Sequence, residues 1–457
     1  MQTLIYNATL LNEGTERRAS VLIEDDIIKQ IIYHDSNEPT SMESVLSALP
    51  LGGVRKGVDA TGMLLMPGVI DDHVHMRDPG LTHKADMESE TKAAAAGGVT
   101  SVMDMPNVVP QTTTMALWEE KMQHAAETCH VNYAFYLGAT NDNIEAIKNI
   151  DTTRIPALKL FMGSSTGGML VDKEEPLRRI FSECPTLIMT HCEDTDRINE
   201  QMAKAKEQYG EDPAIEMHPW IRDDEACYRS SALAVKLAKE TGARLHIAHI
   251  TTAKELELLQ NDTPLEEKKI TAEVCPQHLF FSEQDYKRLG TLIKCNPSIK
   301  SEADREALCK AAQQGFIDVI GTDHAPHLLD EKQGGAAKAV SGMPLIQFSL
   351  PLMLTLADKG IISHERLVEM MCHNPARLFH INNRGFVREG YKADLVLLKK
   401  EDWTIQESDI LSKCAWSPLT EEKLQWHVAG TWVNGQQVYD GKKVVEDVKG
   451  EALTFNA

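Results

Sequence analysis

From Ala60 onward, short apolar runs rich in β-branched residues alternate with longer amphipathic or Ala-rich segments. This alternation is typical of βα units that build a parallel sheet. Helices are predicted at His83–Ala96, ended by Gly97 and Gly98, and at Asp223–Thr241, ended by Gly242. The predicted strands are Leu64–His75, Thr100–Met105, Val131–Ala139, Ala157–Met162, Thr186–His191, Arg244–Ile250, Ile270–Cys275 and Phe316–Asp323. Eight strands over about 250 residues predict an α/β protein with a (β/α)8 TIM barrel, and an open doubly wound sheet is the alternative.

The two ends of the chain show alternating strand patterns instead. These cover Thr3–Leu11 and Ser20–Ile32 before the barrel, and Lys392–Lys399 and Thr431–Val445 after it. The Asp440-Gly441 pair favours a tight hairpin turn. We therefore predict a small β-sandwich domain built from both termini, residues 1–62 and 386–457, around a barrel over 63–385. Pro39–Gly53 has no clear period and is predicted to be a surface loop.

Composition and charge limit the partners of this chain. Its 457 residues include 47 Lys plus Arg against 68 Asp plus Glu, a formal charge of −21, which disfavours nucleic acid and anionic membranes. An anionic substrate would therefore need a local group of cations. The nine cysteines form no CxxC pair, as in reduced cytosolic proteins. Without a signal peptide or an apolar run near about 18 residues, we expect a cytoplasmic protein.

Titratable residues end five of the predicted strands, where the active site of such a barrel lies. His73 and His75 stand one residue apart, so they share a strand face and can hold one metal ion. Each residue alone has a structural explanation, such as a rim hydrogen bond for a histidine or a helix cap for Asp323. Their joint occurrence favours one site. The set is His73 and His75, Lys159, His191, His249 and Asp323.

Four imidazoles and one carboxylate are more ligands than one tetrahedral zinc needs, which indicates two metal ions about 3.5–4 Å apart. Two cations at that distance need an anionic bridge, and no Asp or Glu ends the fourth predicted strand. Lys159 lies there instead. Its amine would become a bridging anion if CO₂ converted it to a carbamate.

Several motifs carry a family resemblance that extends over essentially the whole chain. They are PGVIDDHVHMRDPG, GVTSVMDMPNVVP, ALKLFMG, KCNPSIK, GTDHAPH and HNPARLF. With these motifs the chain resembles the dihydroorotases of the amidohydrolase superfamily. Lys159 places it near the lysine-bridged members, whereas many bacterial members of similar length use an aspartate in a later loop.

The resemblance implies two zinc ions per chain, bridged by N-carboxylated Lys159 and a hydroxide. His73, His75 and Asp323 would hold the more buried zinc, and His191 and His249 the more exposed one. Arg77, Asn107 and His327 would bind the α-carboxylate of dihydroorotate, and Asn296 would hold the ring amide. The segment Gly163–Gly168 would be a mobile loop, with Ser165 or Thr166 reaching the substrate.

The implied reaction is the reversible hydrolysis of L-dihydroorotate to N-carbamoyl-L-aspartate in pyrimidine biosynthesis, with Asp323 as base and then acid. The resemblance also implies a homo-oligomer, since family members are commonly dimers or higher, some assembled with aspartate transcarbamoylase. Two alternatives stay open: another cyclic amidase, such as a dihydropyrimidinase, hydantoinase or allantoinase, and a non-catalytic assembly partner. Arg77 favours a substrate with a free carboxylate, and the full ligand set disfavours a scaffold.

Overall fold

The computed structural model describes residues 2–35, 39–47, 56–163 and 169–456. The first five strands are β1 Gln2–Asn12, β2 Thr15–Glu24, β3 Ile27–Tyr33, β4 Lys56–Asp59 and β5 Met63–Pro67. Nine more follow: β6 Val69–Val74, β7 Val99–Asp104, β8 Asn132–Phe135, β9 Leu137–Gly138, β10 Leu158–Phe161, β11 Ile188–His191, β12 Leu245–Ile247, β13 Ile270–Val274 and β14 Val319–Ile320. The last three are β15 Leu395–Thr404, β16 Lys423–Val433 and β17 Gln436–Tyr439.

The middle of the chain forms the predicted barrel. Strands β6, β7 and β8 pair in parallel, as do the strands from β9 to β14 in chain order. β8 and β9 are two halves of the third predicted strand, separated at Tyr136. A parallel bridge between Val74 and His324 joins the last strand to the first. The eight-stranded parallel barrel is thus confirmed, and its carboxyl ends share one rim.

Helices surround the barrel and fill most of the segments between its strands. The α-helices are α1 Met42–Ser47, α2 Met87–Ala96, α3 Met115–Thr128, α4 Ile144–Lys148, α5 Glu174–Glu183, α6 Thr195–Tyr209, α7 His218–Ile221, α8 Asp224–Thr241, α9 Pro276–Phe280, α10 Tyr286–Leu289, α11 Glu302–Gln314, α12 Ser349–Asp358, α13 His364–Val368 and α14 Asn374–Leu378. Gly242 ends α8 in the left-handed conformation, as predicted. The helix predicted to begin at His83 begins later because Asp86 caps α2 through Ser89 N–H.

Strands from both termini form one eight-stranded sheet of order β17-β16-β15-β5-β1-β2-β3, with β4 beside β1. The prediction placed Leu64–His75 in a single barrel strand, but the structure divides it at Gly68. Met63–Pro67 pairs with β15 and β1, and the barrel begins at Val69. Glycine is required at the point of division, because a Cβ on Gly68 would lie 2.2 Å from the Thr100 side chain.

The expected loop at Pro39–Gly53 is wrong for Met42–Ser47, which is the helix α1. Val45 on this helix packs on Leu4 and Leu22 of the terminal sheet. A helix of about one and a half turns with one buried side chain shows no apolar periodicity that could be detected in the sequence. Residues 48–53 of the predicted loop lie outside the described part. No helix among the described residues has the length and apolar character needed to cross a bilayer.

A buried ion pair connects the barrel to the terminal sheet. Arg384 donates to the carboxylate of Asp394 and, over 2.7 Å, to Oδ1 of Asn434. Asp394 also accepts from Nδ2 of Asn132 on β8 over 3.1 Å and from the backbone N–H of Asn434 over 2.8 Å. The side chains of the ion pair are only 5% and 3% exposed, so both charges depend on these bonds.

We expect Arg384→Met to lower the free energy of unfolding by about 3–5 kcal/mol, because it leaves the buried Asp394 carboxylate without its cation. Urea unfolding would measure this loss. The matched control is Arg178→Met, which breaks a pair whose side chains are 46% and 40% exposed and should change stability by less than about 1 kcal/mol. Equal losses in the two variants would contradict the expectation.

Candidate metal centre and active site

Three predicted ligands converge where the first and last barrel strands meet. His73 lies on β6, His75 follows this strand, and Asp323 follows β14. Oδ1 of Asp323 lies 3.0 Å from Nε2 of His75 and 3.4 Å from Nε2 of His73. These separations match the roughly 3.3 Å between neighbouring ligands of one tetrahedral zinc with bonds near 2.0–2.1 Å. The geometry therefore suits one divalent metal ion, and the three residues form a candidate metal-binding group.

The second predicted pair lies beside this group. His191 ends β11 and His249 lies two residues beyond β12, with Nδ1 of His191 and Nε2 of His249 3.0 Å apart. The ring centroids of His249 and His73 are 5.3 Å apart. Two adjacent ligand sets thus lie at one rim: two histidines with an aspartate, and two further histidines.

The protonation of these imidazoles suits metal binding. Burial lowers the pKa of His73 to about 3 and that of His75 to about 4. Burial and the nearby His191 lower the pKa of His249 well below its ordinary value. At neutral pH these rings are therefore uncharged and offer a nitrogen lone pair, as a metal ligand must.

Lys159 lies on β10 and lines the same cavity. It is completely buried, and within the described part of the chain its Nζ has no hydrogen-bond partner. Burial lowers the pKa of this amine. An unpaired amine whose charged form is disfavoured by burial, set among candidate metal ligands, fits a group that is to be converted to an anionic carbamate, whereas a buried ammonium would need acceptors.

Two carboxylates that the sequence did not single out hold the histidines in place. Glu273 on β13 accepts from Nδ1 of His73 and from the backbone N–H of His249, both over 2.9 Å. Glu193 lies 2.9 Å from Nε2 of His191 and forms an ion pair with Arg222. Although burial opposes it, Arg222 and the bond with His191 lower the pKa of Glu193 to about 2. An acidic residue inside the apolar run Ile270–Val274 was the signal for Glu273.

All ten predicted site residues line one cavity of about 550 Å³ at the rim. Arg77 is buried, and it donates through Nε to the carbonyl of Pro326 over 3.1 Å. Its Nη2 lies 2.9 Å from Nε2 of His327. Oδ1 of Asn107 lies 2.8 Å from Nδ1 of His75, so Asn107 orients a metal ligand as well as lining the cavity. Buried Oδ1 of Asn296 has no hydrogen-bond partner among the described residues.

The segment predicted as a mobile loop, Gly163–Gly168, lies outside the described residues except for Gly163. Gly163 follows β10 closely, and a Cβ there would lie 1.6 Å from the carbonyl oxygen of Glu193. Only glycine allows the chain to leave β10 along this path. Ser165 and Thr166 remain predictions.

A barrel of this type with two adjacent ligand sets at its rim is the architecture of a metal-dependent hydrolase. The amidohydrolase family profile matches residues 64–438. The chain belongs to the amidohydrolase family.

The relatives include two kinds of cyclic amidase. The dihydroorotase of Halobacterium salinarum is 36% identical over 386 residues, covering 83% of this chain and 87% of that protein. The L-hydantoinase of Paenarthrobacter aurescens is 30% identical over 465 residues, covering 99% and 97%. The solved structure of L-hydantoinase from Arthrobacter aurescens has a TM-score of 0.90 at 28% identity, covering 99% of each chain. The resemblance to dihydroorotases is confirmed, with hydantoinases as further relatives.

We expect Glu273→Gln to weaken zinc binding about 10–100-fold, because the amide no longer fixes the ring of His73 as a carboxylate does. Zinc retained after dialysis against graded chelator concentrations measures the change. Glu255→Gln is the matched control, since Glu255 is buried and bonds to Ser231 and Thr252 and not to a candidate ligand side chain. An unchanged zinc affinity in the folded Glu273 variant would refute the assigned orienting role.

Proposed function

We propose that this protein is a dihydroorotase, which hydrolyses the cyclic amide of L-dihydroorotate reversibly to N-carbamoyl-L-aspartate. Buried Arg77, two residues beyond His75 in the cavity wall, carries the proposal. A guanidinium is a strong donor to a carboxylate, and dihydroorotate carries one on the carbon next to its ring nitrogen. Dihydroorotase relatives over more than four fifths of the chain support it.

We further propose that the ligand sets hold two zinc ions and that Lys159 is carboxylated. His73, His75 and Asp323 would hold one ion, His191 and His249 the other, and the carbamate of Lys159 would contact both. When bound, these ions would acidify a water molecule and polarise the ring carbonyl. The lowered pKa values of the histidines and the unpaired amine of Lys159 support this arrangement.

The protein side chains divide the remaining tasks. Arg77 and His327 would fix the carboxylate, and the free lone pairs of Asn296 Oδ1 would accept from a ring N–H. Asp323 Oδ would take the proton of the attacking water and then deliver it to the departing ring nitrogen. Contacts with His73 and His75 oppose the effect of burial and lower the pKa of Asp323. This carboxylate is therefore ionised and able to act as a base.

A hydantoinase is the second candidate, favoured by the L-hydantoinase relative that covers 99% of the chain. Hydantoins and dihydropyrimidines contain the same cyclic amide without the carboxylate. The two candidates therefore differ in whether the Arg77 side of the cavity contributes to substrate binding.

We expect the wild-type protein to hydrolyse dihydroorotate in preference to dihydrouracil. Arg77→Met should remove much of that preference. Loss of hydrogen bonds to a charged group, each of about 1.5–3 kcal/mol, lowers kcat/KM for dihydroorotate about 100-fold or more. Activity on dihydrouracil should change far less. The control is Arg229→Met, at a 52% exposed surface position. If the wild-type protein hydrolysed dihydrouracil but not dihydroorotate, the proposed activity would be wrong and the protein would be a dihydropyrimidinase.

We expect Asp323→Asn to lower kcat at least about 10³-fold, because the amide cannot accept a proton. Zinc should be counted in the same samples, since the amide oxygen can remain a weaker ligand. Activity near that of the wild type would refute the role of Asp323. Less than about one zinc per wild-type chain, together with no turnover, would favour the non-catalytic assembly partner.

A further inference from the structure

His327 lies between two cationic side chains at the cavity wall. Nη2 of Arg77 is 2.9 Å from Nε2 of His327, and Nζ of Lys84 is 3.1 Å from Nδ1. Each ring nitrogen thus has as its nearest partner a group that can only donate hydrogen bonds. Oε2 of Glu331 is farther from Nδ1, at 3.5 Å. Lys84 lines the cavity as well.

A neutral imidazole can satisfy only one of these two donors. Burial, together with the charges of Arg77 and Lys84, lowers the pKa of His327 well below its ordinary value, so the ring is neutral. A neutral ring has one lone pair and one N–H. One of the two contacts therefore sets an N–H against another N–H donor, which is unfavourable unless an acceptor comes between them.

The surroundings decide which contact is satisfied. Lys84 is held by an ion pair of 2.6 Å with Glu331, which also accepts from the backbone N–H of Leu328 over 2.9 Å. The Lys84 amine is thereby held beside Nδ1. Although burial opposes it, the bond from Lys84 keeps the pKa of Glu331 below its ordinary value, so the carboxylate persists at neutral pH.

We propose that Lys84 is a positioning residue that fixes His327 as the tautomer with its proton on Nε2. His327 and Arg77 then present two N–H groups toward one point of the cavity wall, where a single anionic oxygen acceptor satisfies both. The assigned tautomer extends the proposed function. It rests on that function only for the identity of the anion, which would be the carboxylate of dihydroorotate. Because an anionic oxygen relieves the opposition between the two donors, this wall prefers a charged substrate.

Kinetics of Lys84→Met test the proposal, because methionine keeps the length of the side chain and removes the donor. The KM for dihydroorotate should rise about 10-fold with kcat nearly unchanged, as expected when an interaction common to ground state and transition state is lost. Lys84→Arg, which keeps a donor, should restore most of the affinity. Lys92→Met is the control, because Lys92 pairs with Glu88 and Glu446 at the surface. An unchanged KM in folded Lys84→Met would overturn the proposal.

A double-mutant cycle separates positioning from direct contact. If Lys84 acts through His327, then Lys84→Met should change KM less than about 2-fold in a His327→Ala background, since neighbours acting as a unit are not additive. Fully additive effects would mean that Lys84 binds the substrate itself, and they would overturn the tautomer assignment.

Nitrogen NMR of histidine-labelled wild-type protein reads the tautomer without any turnover, with the His327 signals assigned by their loss in His327→Ala. We expect the proton on Nε2 in the wild type and a shift toward the Nδ1–H form in Lys84→Met. A proton on Nδ1 in the wild type would overturn the proposal. This result is independent of the proposed function, which fails instead if the wild type does not hydrolyse dihydroorotate.

Discussion

The seam between the first and last barrel strands is the constraint on which the site depends. The carboxylate of Asp71 accepts from the backbone N–H of Thr322 over 3.0 Å and from its hydroxyl over 2.6 Å. Four residues further along the chain, the backbone N–H of His75 donates to the carbonyl of His324 over 2.7 Å. These bonds fix the register of two strands that are about 250 positions apart in the sequence. Because of that register, Nε2 of His75 and Nε2 of His73 lie 3.0 and 3.4 Å from Oδ1 of Asp323.

The strands and their ends could be predicted from the sequence, whereas most of the contacts that hold them in place could not. Apolar runs mark buried strands, so the polar residues that end them can be assigned to one rim from the sequence alone. Glu273 was missed because a single acid within an apolar run looks like an irregularity of the pattern, and its role depends on a histidine 200 positions away. The division at Gly68 was missed for a related reason, since both halves are buried strands and only their partners differ.

Three residues at the same rim have a strained backbone. Arg77, His249 and Asp323 have φ values of 63°, 40° and 49°, in the left-handed region that non-glycine residues rarely adopt. Each such residue costs about 1–3 kcal/mol and persists only where surrounding bonds enforce it. The backbone N–H of His249 is bound by Glu273, and the guanidinium of Arg77 is bound by the carbonyl of Pro326. Three strained positions at one site indicate that ligand direction, rather than local backbone energy, has determined the conformation there.

The charges around the cavity bear on how an acidic protein would accommodate the proposed anionic substrate. The chain has a formal charge of −21, and salt screens exposed charges beyond about 10 Å. On one side of the cavity stand Arg77 and Lys84, with Lys332 completely buried behind them and bonded to the carbonyls of Val340 and Gly342 over 2.9 and 2.8 Å. Val340 and Gly342 line the cavity, so two carbonyls of that wall are already engaged by Lys332. The wall thus combines donors that would attract the proposed anion with acceptors already engaged elsewhere.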